Sequence, residues 1–225
     1  MEKRRKLVIV GDTAFAEIAY EYFTHDSDYE VVAFSVEREF LKREELFGLP
    51  IVPFETLEET HPPAGHSVYC ANVYTKLNRL RTRLAAEARR KGFALASYVS
   101  SRAFVWRNVE VGEHCFIFED NTVQPFVRLG DNVVLWSGNH IGHHSTIGDN
   151  CFVSSHVVIS GYVEVGENCF LGVNATVANN LKIGRDCWLA PNTVVFKDLP
   201  PETFLKPPKS EAGSASTLDF FKVRE

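Results

Sequence analysis

The sequence predicts a two-part fold: a small N-terminal α/β domain of the Rossmann-like kind, then a parallel β-helix. Two observations carry this. Over roughly the first 97 residues, β-branched runs alternate with segments of helical periodicity. From Val99 onward the period changes to six, and seventeen successive positions from Val99 to Val195 all carry Val, Ile or Leu.

In the first part, Lys6 to Val10 reads as a strand, and Gly11-Asp12-Thr13 turns into a helix with apolar Phe15, Ile18, Ala19 and Tyr22 on one face. Tyr29 to Ser35, Ser67 to Ala71 and Ala94 to Ser97 read as further strands. Thr75 to Lys91 reads as a basic amphipathic helix with the stripe Leu77, Leu80, Leu84 and Ala88. Strands alternating with helices imply a parallel sheet.

In the second part, the residue after the aliphatic one is glycine at Gly112, Gly130, Gly142, Gly148, Gly166, Gly172 and Gly184. Two residues before it the side chain is mostly small, as at Ala103, Cys115, Ser145, Cys151, Cys169, Ala175, Cys187 and Thr193. Six residues make one short strand plus a corner, and three such units close a triangular coil of eighteen. Fewer than six coils stacked about 4.8 Å apart make a prism roughly 27 Å long. The expected organisation is therefore residues 1–97 as the α/β domain, 98–200 as the prism and 201–225 as a tail. The repeat breaks at Leu199-Pro200-Pro201. Beyond it, the polar stretch Ser210 to Thr217 and the apolar Leu218-Asp219-Phe220-Phe221 read either as a linker with an anchor for a neighbour or as a disordered end.

With 225 residues, 45% apolar and 24% charged, the chain has ample material for a core. No apolar run is long enough to cross a bilayer, and the basic start precedes too short an apolar run for a signal peptide, so a cytoplasmic protein without a membrane is expected. A net charge of −5 argues against a nucleic-acid partner. Five cysteines without paired spacing do not read as a disulfide framework. Four of them fall on the small position of the repeat and read as compact fillers.

The histidines are more informative. His140, His143, His144 and His156 crowd one stretch, and neither His143 nor His144 occupies a core-facing register position. They read as surface or corner residues, or as metal ligands. In the hexapeptide-fold carbonic anhydrases two zinc-binding histidines stand five apart, a spacing absent here, so no metal is expected.

The run Ile141-Gly142-His143-His144-Ser145-Thr146-Ile147-Gly148 and the later Asn168-Cys169-Phe170-Leu171-Gly172-Val173-Asn174-Ala175 resemble the sialic acid O-acetyltransferase and bacillosamine N-acetyltransferase group of hexapeptide-repeat sugar acetyltransferases. The resemblance covers nearly the whole chain. It implies a left-handed coil, acetyl-CoA as donor, a sugar or nucleotide-sugar acceptor held by the N-terminal domain, and a homotrimer whose sites lie between neighbouring prisms.

The resemblance also implies roles. His143 stands where the family has its catalytic base, and an imidazole with an ordinary pKa of about 6.5 suits that task. Eighteen residues on, one coil away, Gly161 stands where a backbone N–H meets the thioester carbonyl; alternatively it only eases the corner. Val173, Ala190 and Pro191 stand at or beside cofactor contacts. Thr13, Ala14, Phe15, Ser35 and Glu37 stand at the acceptor-binding places.

The departures are specific. His144, placed with His143 and Gly161 among the catalytic residues, stands where the bacillosamine enzymes have a glutamate that raises the basicity of the base, the glycine-rich start is replaced by Gly11-Asp12-Thr13-Ala14-Phe15, and the acidic pair after the second strand becomes Ser35-Val36-Glu37. Lys76, Arg79, Arg81 and Arg83 read either as diphosphate contacts or as a solvated helix face. Two other readings stand beside the enzyme: a non-catalytic scaffold of repeats and a metal-dependent hydratase.

Overall fold

The computed structural model describes residues 2–209 and 211–223; Met1, Ser210, Arg224 and Glu225 lie outside the described residues. The chain begins with β1 (Arg5–Val10), α1 (Ala14–His25), β2 (Tyr29–Val36), β3 (Glu45–Leu46), β4 (Leu49–Pro53), α2 (Leu57–Thr60), β5 (His66–Cys70), α3 (Arg79–Arg90) and β6 (Ala94–Leu95). These strands form one sheet in the order β3-β4-β2-β1-β5-β6, parallel except for the β3–β4 pair. Its two central strands are buried on both sides, which is why β1 reads as an unbroken apolar run.

Two elements differ from the sequence reading. The basic helix starts at Arg79 rather than Thr75, because Lys76, Leu77 and Asn78 take positive φ angles of 51°, 51° and 67°. A left-handed run of three ends any right-handed helix, and an apolar stripe does not reveal it. The β3–β4 hairpin was not anticipated, since its strands are short and carry Glu45, Pro50 and Pro53.

From Tyr98 the chain winds as a triangular parallel β-helix whose strands pair at an offset of eighteen, as in Phe116↔Val134 and His140↔Val158, until the last coil, where Trp188↔Phe204 pair at sixteen. The second residue of each two-residue strand points inward. Ile117, Leu135, Val153, Leu171 and Leu189 form one buried ladder, flanked by the ladders Val123–Val195 and Leu129–Ile183. Val99 and Val111 are exposed because they sit at the open first coil. Cys115, Cys151, Cys169 and Cys187 are all buried and free, and burial pushes the Cys115 thiol up to about 11.

The first residue of each strand points outward and gives the three faces different chemistry. The first face carries Tyr98, Phe116, Val134, Phe152, Phe170 and Trp188, and the N-terminal domain covers it with Phe15, Phe23 and Tyr69. The third face carries Glu110, Arg128, Thr146, Glu164 and Lys182, with exposed ion pairs Arg128–Glu110 at 3.2 Å and Lys182–Glu164 at 3.1 Å. The second face is uncovered and largely uncharged, with Phe104, Val158 and Val194 exposed and Phe196 78% exposed at its corner.

A polar knot fastens the domains. Arg81 is 3% exposed and donates to the carbonyls of Cys70 (3.2 Å), Asn132 (2.8 Å) and His114 (2.8 Å). Beside it the fully buried His114 accepts from the Cys70 N–H through Nε2 (2.8 Å), so Nδ1 carries the proton it donates to Asn132 Oδ1 (2.7 Å). Among the described residues no carboxylate pairs with Arg81. Burial, reinforced by the Arg81 charge, holds the His114 imidazolium well below the ordinary histidine range.

A histidine neutral in the fold and protonated when unfolded makes the unfolded state the better proton binder below about pH 6.5. Stability should therefore fall as pH drops from about 6.5 towards the folded pKa, with a limiting slope of about 1.4 kcal/mol per pH unit from this group. Denaturant titrations between pH 7.5 and 5.5 should show the slope in the native sequence. His114→Gln should remove it whatever its effect on absolute stability.

Candidate functional site

The corner that follows the second face holds His143. It lies outside the buried ladder because Ile141, two residues earlier, takes the inward position, and its side chain is exposed. Gly161 lies one coil away at the same corner, and a Cβ built on it would stand 2.8 Å from His143 Cε1 and 3.0 Å from Nε2. The imidazole therefore covers Gly161, and only glycine leaves it room. The Gly161 carbonyl accepts from Asn180 N–H at 3.1 Å, whereas its own N–H meets no acceptor among the described residues. The His143 backbone is pinned on both sides: its N–H donates to Gln124 Oε1 at 2.9 Å, and its carbonyl accepts from Tyr162 N–H at 3.0 Å.

Around this pair stand rings the sequence reading did not single out. His144 lies between Phe126 (4.5 Å between centroids, 27°) and Tyr162 (4.8 Å, 16°), and Tyr162 meets His143 edge-on at 5.1 Å. His143 Nδ1 and His144 Nδ1 are 3.1 Å apart, within hydrogen-bond distance. Phe126 and Tyr162 were legible in principle, since each stands eighteen residues from His144.

The other expected cofactor contacts lie across the second face. Val173 is exposed beside a cleft of about 190 Å³ shared with Tyr74, Trp136 and Ser154. Pro191 is exposed at the same corner one coil on, while Ala190 is buried and can offer only its backbone. One chain thus places Val173 and Pro191 at one edge of this face and His143 with Gly161 at the other.

A third feature lies in the N-terminal domain, where Gly11, Thr13, Val36, Glu37, Phe40 and Asn72 line a cavity of about 440 Å³. It opens where β1 and β2 end and α1 begins, the place where open α/β sheets take ligands. Gly11 needs its φ of 126°, and a Cβ there would lie 3.0 Å from the Ala71 carbonyl oxygen. The Asn72 Oδ1 is buried without a partner.

The expected acceptor contacts divide. Thr13 and Glu37 line this cavity, and Ala14 is exposed at the start of α1. Phe15 and Ser35 do not line it. Phe15 is 2% exposed and packs on Phe116, Trp136 and Tyr69 between the domains. Ser35 is fully buried in β2.

The basic helix is not a free cationic patch. Arg81 belongs to the interdomain knot, Arg79 pairs with Asp186, and Arg83 grips Glu37 through two bonds of 2.9 and 2.8 Å. Only Lys76 of the four has no such tie among the described residues. His140 and His156 do not join the His143 cluster: His140 lies on the second face, and His156 lies at the corner before it, against Gly138. Among the described residues no group of three His, Cys, Asp or Glu is arranged to hold a metal ion, and no helix is long and apolar enough to cross a membrane.

A family model described as Dynactin subunit 5 matches residues 101–210, most of the prism and the start of the tail. No curated protein sequence matches the chain. Among solved structures, the acetyltransferase domain of PglB from Neisseria gonorrhoeae superposes with a TM-score of 0.81 at 20% identity, covering 89% of this chain and 96% of its own. The same domain in complex with acetyl coenzyme A gives 0.79 at 19% identity. PerB from Caulobacter crescentus, in complex with CoA and GDP-perosamine, gives 0.76 at 26% identity over 88% of this chain and 92% of its own. The coil is accordingly a left-handed parallel β-helix, and the likeness to hexapeptide-repeat sugar acetyltransferases runs through both domains.

The placements of Thr13 and Phe15 separate a cavity residue from a packing residue. Phe15→Ala should lower the unfolding free energy by about 3–5 kcal/mol in denaturant titration. Thr13, whose side chain makes no cap hydrogen bond to α1, should cost less than about 0.5 kcal/mol as alanine.

Proposed function

We propose that this chain, a hexapeptide-repeat sugar acetyltransferase in fold and domain order, moves the acetyl group of acetyl-CoA to an amine or hydroxyl of a nucleotide-linked sugar, in the cytoplasmic synthesis of surface glycans. The observation that carries the reading is the His143 ring lying over Gly161, whose N–H has no acceptor among the described residues, at the edge of the uncovered second face. The acceptor nitrogen or oxygen attacks the thioester carbonyl while His143 Nε2 takes its proton. The new oxyanion accepts from the Gly161 N–H, a preorganised donor. Collapse of the tetrahedral species breaks the carbon–sulfur bond, and the imidazolium returns its proton to the departing thiolate. A relative named as a perosamine N-acetyltransferase, 25% identical, supports nitrogen as the acceptor.

The architecture supports a site shared between copies. The N-terminal domain occupies the first face, whereas His143 lies on the one corner that does not border that face. A sugar whose nucleotide sits in the Gly11–Glu37 cavity is thus directed away from the base of its own chain. The second face is the uncovered one with the larger apolar side chains, and a homotrimer assembled through it would bring Val173 and Pro191 of one copy towards His143 of another. CoA would then lie in the groove between them.

A scaffold without catalysis is the second reading, favoured by the family match being confined to the prism and tail. Calorimetric titration with CoA separates the two, since absence of binding at millimolar CoA would leave the scaffold. In a thiol-release assay, His143→Ala should lower kcat by about 10²–10⁴-fold. CoA affinity should stay within threefold, and near-normal turnover would remove His143 as the base. Gly161→Ala, which drives a methyl into the imidazole without demanding a left-handed backbone, should lower kcat by about 10²-fold.

A further inference from the structure

We infer that His144 is the positioning residue of His143: held between Phe126 and Tyr162, it accepts a hydrogen bond from His143 Nδ1–H and so keeps Nε2 free to take a proton. The inference rests on the general-base reading above, and two independent observations support it.

The first is the 3.1 Å separation between the two Nδ1 atoms. Only one proton can occupy that bond, and a neutral imidazole has only one to give. If His144 donated it, the single proton of His143 would sit on Nε2 and block the base. If His143 donates it, Nε2 keeps its lone pair. When Nε2 then takes a proton, the Nδ1–H bond to a neutral His144 is already in place to spread the charge, and no group has to turn.

The second observation is the cost the chain accepts to keep these rings. His144 occupies the corner position that takes a left-handed backbone in coil after coil, and elsewhere that position is mostly asparagine or aspartate: Asp120, Asn132, Asn150, Asn168, Asn174, Asn180, Asp186 and Asn192 have φ of 57–61°. These short polar side chains, and histidine as at His114 (φ 59°) and His156 (58°), tolerate the conformation, whereas Phe and Tyr are strained in it. Yet three successive coils at one corner place Phe126 (φ 65°), His144 (59°) and Tyr162 (58°) there, and the next coil returns to Asn180. The rings remain more than half exposed at Phe126 (56%) and Tyr162 (53%), so packing into a core does not explain them. Strained, exposed and stacked on either side of the ring that touches the base, they fix the direction of the His144 edge.

Three variants separate acceptor from stack. His144→Phe keeps a stacked ring and removes the acceptor; kcat should fall about thirtyfold, with KM for acetyl-CoA and for the sugar within twofold. His144→Asn returns the residue usual at this corner and places Oδ1 where Nδ1 stood, so it should keep kcat within about threefold of the native value. Phe126→Asn combined with Tyr162→Asn should hold or raise Tm while lowering kcat. Nitrogen-15 NMR of the imidazoles, without substrates, should find His143 as the Nδ1–H tautomer in the native protein and as Nε2–H in His144→Phe. An unchanged tautomer or native kcat in His144→Phe overturns the inference, and so does a His144→Asn variant as slow as His144→Phe. Full activity of His143→Ala would instead overturn the base reading, and the tautomer measurement, which needs no turnover, would still judge the histidine pair.

Discussion

The inward stacking of one aliphatic side chain per six residues governs the rest of the molecule. Each two-residue strand can turn only one of its side chains into the prism, and the ladders Ile117–Leu189, Val123–Val195 and Leu129–Ile183 fix which one. A slip of one residue would turn every such side chain to solvent. With the inward residue fixed, all other positions are stacked at intervals of eighteen, so each face and corner becomes a column of equivalent places. His143 beside Gly161, and His144 between Phe126 and Tyr162, are consequences of that column order rather than of a folded loop.

The same constraint decides how the two domains meet. The first face presents a column of aromatic side chains, and the N-terminal domain answers with Phe15, Phe23 and Tyr69 in edge-on and tilted contacts. Apolar contact gives affinity but little direction. Direction comes from Arg81, whose guanidinium needs the carbonyls of Cys70, Asn132 and His114 at once, two from the prism and one from the sheet. Satisfying a buried cation with three carbonyls and the Tyr69 hydroxyl, and no carboxylate, favours a neutral neighbour, and His114 meets that requirement by accepting from Cys70 N–H and donating to Asn132.

Much of this was legible in the sequence. The period of six, the glycine and small-residue positions, and the four N-terminal strands follow from spacing alone. So does the pairing of His143 with Gly161, once eighteen residues are known to make one coil. The aromatic column at Tyr98, Phe116, Phe152, Phe170 and Trp188 has the same spacing and announces a covered face, but its meaning emerges only beside a domain with matching rings. Phe15 resisted the sequence because a helix start beside a cavity and a helix face beside a prism differ by a rotation of about 100° per residue. Arg81 resisted it because a basic helix normally faces solvent, and only the fold shows one of its arginines turned inward. The left-handed run from Lys76 to Asn78 leaves no periodic signal.

The choice of histidine at position 144, where the bacillosamine enzymes carry glutamate, follows from where this corner stands. The second face is uncovered and largely uncharged, and in the proposed assembly a partner seated on it would remove water from His143 and whatever orients it. A carboxylate there would have to be desolvated as an ion in the resting state, at a cost of several kcal/mol unless a cation joined it. A neutral imidazole would carry no such charge, and in the proposed mechanism positive charge arises as the acceptor's proton reaches His143. The price is a weaker hold on orientation, because an exposed imidazole turns about its own bonds more easily than a carboxylate with two equivalent oxygens loses its acceptor. Phe126 and Tyr162 supply the missing restraint by sandwiching the ring, and their strained backbone is the trace of that trade: stability given up at two corners in return for a fixed ring beside the proposed base.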